Sequence, residues 1–231
     1  MRSAPKTVLA QMGRERVVVA GLKILNETGL DGLTLSGIAA EIGVQAPTLY
    51  WRFKNKQDLI DEMATQVLSD WVADLLNQFK SRTSWDERIF SYGVTLRAAL
   101  LRYRDGARMV AGSYFSDTAI YEAMEKILES FKAAGFTVKD AVMCLNTAYS
   151  FVIGFTIEEQ ATFLAKGTRD PRYARSAREA RVDVKRYPLT RSAGPELFES
   201  YDARFETSLK LIIAGFASER EKPAVQRKRK P

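Results

Sequence analysis

Gln45, Thr48, Tyr50 and Trp51 fall within the short run QAPTLYW, and each can do chemistry on the edge of a base pair. A glutamine amide can pair bidentately with adenine in a major groove, while Thr48 and Ala46 can pack on a thymine methyl. Tyr50, Arg52, Lys54 and Lys56 add a hydroxyl and three cations suited to phosphate oxygens, contacts that position a protein without reading sequence. On a plain three-helix bundle with no nucleic-acid role, an exposed Tyr-Trp-Arg would be an unexplained apolar display.

Such residues need a rigid mount, and the flanking sequence, LTLSGIAAEIGVQAPTLYWRFKNK, describes one. Thr34 can cap a second helix, Leu35 to Ile42, whose inner face is Ile38, Ala39 and Ile42. Gly43-Val44 makes a tight turn, and Pro47 sits early in a third helix, Gln45 to Trp51, where its missing N–H costs nothing. The two helices are thereby pinned at an angle, as in a helix-turn-helix. A first helix starts near Gly13 or Arg14, aligns Val18, Gly21, Leu22 and Leu25 on one face, and stops at Gly29. A long fourth helix, about Gln57 to Phe79, carries Ile60, Met63, Val67, Trp71, Leu75 and Phe79 on one stripe and reads as a connector into a second domain.

Composition excludes other chemistry. The chain has 231 residues and no histidine, which removes Ser-His-Asp and Cys-His catalysis, histidine-ligated zinc and imidazole switching. Its one cysteine, Cys144, can form no intrachain disulfide. It lies in an apolar run and reads as a buried thiol, with a reactive sensor thiol as the alternative. An enzyme would have to rely on Glu158, Glu159, tyrosine or lysine, and no nucleophile elbow, Walker loop or GxGxxG pattern is present, so no catalytic residues and no cofactor are expected. A net charge of +7 favours a polyanionic partner without choosing among them.

Helical periodicity continues over Trp85 to Tyr103, Tyr121 to Ala134, Lys139 to Ala165 and Glu196 to Glu219, with no sustained period of two. The fold class is therefore all-α. Lys166 to Gly194 is rich in arginine and reads as a mobile loop with one short helix, either solvated or a second DNA or partner contact. The basic tail from Lys222 reads as disordered. No secretory signal is visible, and the uncharged run Ala141–Ile157 is shorter than the ~20 residues a membrane span needs. A cytoplasmic protein with no membrane partner is expected.

The pattern GLDGLTLSGIAAEIGVQAPTLYWRFKNKQDLID resembles the DNA-binding head of the TetR family, and LYW-x-x-KNK is particularly close to tetracycline repressors. The resemblance implies a DNA-binding domain over 1–57, a ligand-binding and dimerisation domain over 58–220 and a tail over 221–231. It also implies DNA contacts from Thr34, Ser36, Gln45, Ala46, Pro47, Thr48, Tyr50, Trp51, Arg52, Lys54 and Lys56. Where tetracycline repressors carry a base-reading arginine this chain has Ser36, so its operator is not expected to be theirs.

The likeness extends through SWDERIFSYGVTLRAALLRYRDGARMVAG and on from Tyr121 to Gln160, similar to the tetracycline-repressor type of C-terminal domain. The pocket positions it implies are Val72, Tyr92, Leu96, Val110, Tyr114, Phe115, Ile127, Tyr149, Ser150 and Glu158. The family's metal-ligating histidine appears here as Val110, leaving Glu158 as the one carboxylate, too few oxygen or nitrogen ligands for a metal. The expectation is no metal–tetracycline chelate and a largely apolar, aromatic-walled pocket with Tyr92 and Tyr114 as hydrogen-bonding groups. For any one of these aromatics, plain core packing is the alternative, and for Glu158 a solvated or ion-paired carboxylate.

One head reads few base pairs, so two are needed about 34–36 Å apart. The Lys139–Ala165 and Glu196–Glu219 helices, with Phe151, Phe155, Ile212 and Phe216, offer more apolar surface than one small domain buries. The resemblance implies that they pair with their copies as a four-helix homodimer interface. Effector binding would shift the helix Arg104–Ala111 and tilt the fourth helix, spoiling the spacing of the heads. A regulator without an effector, or an activator, is the alternative within the same class.

Overall fold

The structure, a computed structural model, describes residues 13–50, 52–78, 83–115, 118–165 and 167–221. In chain order it forms α1 (Arg14–Gly32), α2 (Leu35–Glu41), α3 (Ala46–Tyr50), α4 (Lys56–Gln78), α5 (Trp85–Leu101), α6 (Gly106–Val110), α7 (Thr118–Ala133) and α8 (Val138–Gln160). A two-stranded hairpin follows, β1 (Phe163–Ala165) and β2 (Thr168–Arg169), then a 3₁₀ turn at Pro171–Tyr173, α9 (Arg175–Arg181), α10 (Pro188–Phe198) and α11 (Tyr201–Glu221). The all-α reading holds. Phe79 and the basic tail from Lys222 lie outside the described residues.

The helices belong to two compact units. The first comprises residues 1–77 and 97–124 and so joins the head to α6; the second comprises 78–96 and 125–231.

In the first unit, Val17, Val18, Leu25, Leu33, Ile38, Ala39, Leu49, Phe53, Leu59 and Met63 form the core. α1 approaches α4 so closely at Gly21 that an added Cβ would stand 2.8 Å from Met63 Sδ. Gly29 interrupts α1 with φ 74°, a conformation that favours glycine. An Arg14–Glu62 ion pair ties the other end of α1 to α4.

In the second unit, α8 buries Ala141, Cys144, Leu145, Ala148, Val152, Thr156 and Glu159, a run of i, i+3 and i+4 positions. α8 packs on α11, whose Phe205 is buried and stacks on Phe151 at 5.3 Å. Phe155 meets the same Phe205 ring edge-on at 5.2 Å. Gly93 lets α11 come close to α5, since a Cβ there would lie 2.5 Å from Leu209 Cδ2. Arg220 sits 3.6 Å over the Phe136 ring and donates to the Ala134 carbonyl at 2.9 Å.

Three expectations need correction. The helix expected over Lys139–Ala165 stops at Gln160, because Thr162 Oγ1 and N–H both donate to the Glu159 carbonyl and turn the chain into the hairpin. The helix expected over Glu196–Glu219 straddles a break: α10 ends at Phe198, and Ser200 takes a left-handed φ of 53° before α11 begins. The supposed mobile loop at Lys166–Gly194 contains β2, a 3₁₀ turn, α9 and most of α10. Its arginines bond mainly within it and to the start of the next elements: Arg178 to Glu199 at 2.7 Å, Arg191 to Glu179 at 3.1 Å, Arg172 to Asp170 at 2.6 Å. The Arg172 side chain holds the Asp170 carboxyl below its ordinary pKa.

Candidate nucleic-acid interface and effector site

Thr34 Oγ1 accepts the Gly37 N–H at 3.1 Å and so starts α2. The turn to α3 needs Gly43, whose φ is 74°, and it closes with the Val44 N–H donating to the Ala39 carbonyl at 2.8 Å. α3 is anchored from beneath by Leu49 and Phe53, at 0% and 1% exposure. With those side chains inside, Gln45, Pro47 and Tyr50 are exposed, while Ala46 and Thr48 are half-buried. Thr34, Ser36, Arg52 and Lys54 are exposed as well. Trp51 lies outside the described residues.

The start of α4 closes the mount. Asn55 Oδ1 accepts the Asp58 N–H at 2.9 Å, and Asp58 Oδ2 accepts the Lys54 N–H at 2.9 Å, a reciprocal cap. Lys56 differs from the other predicted phosphate contacts. Its ammonium donates to the Leu30 carbonyl at 2.6 Å, so it is already engaged in joining α4 to the end of α1. A sequence motif shows that a cation is present but not which acceptor it faces.

The predicted effector positions divide between the two units. In the first, Val110 is fully buried, Val72 and Phe115 are half-buried, and Tyr114 is 70% exposed, with its N–H on Asp61 Oδ1 at 3.2 Å. In the second, Leu96 and Ile127 are buried, Tyr92 and Tyr149 are half-buried, and Ser150 and Glu158 are exposed. Burial pushes both the Tyr92 and Tyr149 phenols above the usual tyrosine range, with Tyr149 adding to the rise at Tyr92, so both stay neutral donors. Glu158 is exposed, while the adjacent Glu159 turns inward with Val152 and Thr156, at 7% exposure.

Among the described residues, no group of three or more His, Cys, Asp or Glu side chains converges as a metal would need. By length and composition α8 could cross a membrane, yet its inner stripe packs against α11.

Residues 17–63 match the family described as bacterial regulatory proteins, tetR family, and residues 80–220 match the tetracyclin repressor-like C-terminal domain. The tetracycline repressor protein class D of Escherichia coli is 32% identical over 213 residues, covering 90% of each chain. A possible TetR family transcriptional regulator from Streptomyces coelicolor A3(2) superposes with a TM-score of 0.77 at 35% identity, covering 90% of this chain and 100% of that one. BioQ, in a crystal structure with its double-stranded DNA operator, superposes with a TM-score of 0.60 at 26% identity, covering 89% and 98%. With both its head and its C-terminal domain matched, the chain belongs to the TetR family of bacterial transcriptional regulators.

Proposed function

We propose that this regulator represses transcription as a homodimer on a palindromic operator and is released by a small, largely apolar or aromatic effector. The observation that carries the DNA half is the outward display of Gln45, Pro47 and Tyr50 on a helix sealed beneath by Leu49 and Phe53. In this reading Gln45, Ala46 and Thr48 read base edges, and Thr34, Ser36, Tyr50, Arg52 and Lys54 hold the backbone. Residues 1–57 serve as the head, and 58–220 as the sensing and dimerising part. BioQ, a structural relative, was solved on a DNA operator, which supports the same use of this head.

Pairing is supported by α8 and α11. Val142 and Met143 on α8 and Leu211 on α11 are exposed apolar side chains. A second copy laid along these helices would cover them as a four-helix interface. The effector is argued from the candidate positions: Val72, Leu96, Val110, Phe115 and Ile127 are hydrocarbon, Tyr92, Tyr114, Tyr149 and Ser150 carry hydroxyls, and Glu158 is the one carboxylate. The tetracycline repressor relative is named for a drug that this lining, with Val110 at the metal position, is not equipped to chelate.

A gel shift with the palindrome of the adjacent intergenic region tests the proposal. A complex of two chains is expected, weakening steeply as salt rises and unaffected by tetracycline with magnesium. A monomer on the DNA, or release by the magnesium chelate at low concentration, would refute it.

A further inference from the structure

Two hydroxyls inside the first unit have no partner among the described residues. Thr65, on α4, is 0% exposed, and its Oγ1 makes no hydrogen bond; the buried Oγ of Ser69, one turn along, makes none either. A helical Ser or Thr ordinarily satisfies itself on the carbonyl one turn back. This protein does so repeatedly: Thr28 on Ile24 at 3.0 Å, Thr95 on Ser91 at 2.7 Å, Ser113 on Met109 at 2.7 Å and Thr156 on Val152 at 2.7 Å. Thr65 and Ser69 do not, and a buried hydroxyl left unbonded costs stability.

Their place on α4 gives the pair a use. Residues four apart share a helix face, so Asp61, Thr65 and Ser69 line up, and Val72 follows. Asp61 Oδ1 accepts the Tyr114 N–H at 3.2 Å, which sets the segment after α6 against this side of α4. The hydroxyls therefore sit in line with Val72, in the unit that also holds Val110 and Phe115.

We infer that Thr65 and Ser69 are specificity-determining contacts for the effector, an assignment that rests on the effector-responsive reading above and deepens it. The pair recognises a neutral ligand with two oxygen functions about one helical turn apart, roughly 5 Å, on an apolar ring frame, as in quinones and hydroxylated polycyclic ketones. Hydroxyls supply no counter-charge, and Asp61 on the same face opposes an anion. A ligand fastened here acts directly on α4, whose first residue, Lys56, is bonded to the end of α1.

Thr65→Val and Ser69→Ala, alone and together, provide the test. Removing an unbonded hydroxyl raises the melting midpoint of the free protein, by about 2–4 °C each; a fall shows that the hydroxyl is satisfied in solution and overturns the inference. Titration with 1,4-naphthoquinone and with naphthalene reads the specificity. The unaltered protein should prefer the quinone at least tenfold, and the double variant should lose that preference. A preference retained in the double variant, or absent from the unaltered protein, also overturns the inference. If quinone binding depends on both hydroxyls yet leaves the operator complex intact, the site stands and the effector reading fails. If another compound releases the operator equally from both proteins, the effector reading stands and the site fails.

Discussion

Asp105 Oδ2 accepts the backbone N–H of Leu30 at 2.9 Å, and the Leu30 carbonyl receives the Lys56 ammonium at 2.6 Å. A single residue near the end of α1 is thus held by the residue that precedes α6 and by the first residue of α4. The neighbouring Arg104 donates its N–H to Asn26 Oδ1 at 2.8 Å and its guanidinium to the Glu27 carbonyl at 3.1 Å. Chain ends of helices carry backbone groups with no partner of their own, and here residues far along the sequence supply them.

Asp105→Ala is expected to destabilise the first unit by about 1–3 kcal/mol, since it strands the Leu30 N–H. Asp105→Asn should recover most of that loss. It keeps an acceptor oxygen and tolerates the left-handed φ of 56° found there. Urea unfolding of the three proteins measures the difference, and equal stability of the alanine variant would show that the bond is dispensable.

Gln45→Ala should leave the melting curve unchanged, because the side chain is exposed, and weaken operator binding by about 1–3 kcal/mol. Arg52→Ala should flatten the slope of log affinity against log salt by about one. Lys56→Ala behaves differently if its ammonium stays on Leu30: stability falls by about 1–2 kcal/mol while the salt slope holds. A flatter slope with unchanged stability would return Lys56 to the phosphate contacts.

Burial pushes the Cys144 thiol up to about 12, against a smaller opposing influence from Arg220. A thiol raised in the folded state binds its proton more tightly there than in the unfolded chain. Its contribution to stability is complete below pH ~9 and is lost as pH climbs toward 12. Chemical unfolding between pH 8 and 11 should show that decline, and Cys144→Ala should make it shallower. A thiol-directed reagent at pH 8 should label the native protein only as fast as it unfolds; rapid labelling would revive the sensor-thiol alternative.

Arg178 is 11% exposed, bonds Glu199 at 2.7 Å and the Gly194 carbonyl at 2.9 Å, and lies 4.9 Å over the Phe198 ring. Arg178→Ala should loosen α9 and α10 by about 1–3 kcal/mol, seen as faster amide exchange in those helices. The salt slope of operator binding should not move. A reduced slope would mean that the arginine-rich segment touches DNA after all.

The head was legible because its geometry depends on neighbours in sequence. Thr34, Gly43 and Pro47 act within a turn of themselves, and α2 to α4 begin and end within a residue or two of the expected positions. The break at Ser200 was hidden because Phe198, Tyr201 and Phe205 continue a helical spacing across it, and periodicity does not register one left-handed residue. The hairpin after α8 is too short to show alternation. Glu158 and Glu159 are chemically alike, and the 100° between successive residues, set by packing against α11, decides which turns inward. For the same reason the engagement of Lys56 and the isolation of Thr65 and Ser69 belong to tertiary contacts and leave no pattern in the sequence.

A Cβ on Gly106 would stand 2.2 Å from the Leu100 carbonyl oxygen. The bend that launches α6 is therefore main chain resting on main chain. In the effector-responsive reading proposed above, Val110, Phe115 or Val72 could be exchanged over generations to suit a new compound while this backbone contact passes on unaltered. A regulator built this way can change what it detects without having to reinvent how it responds.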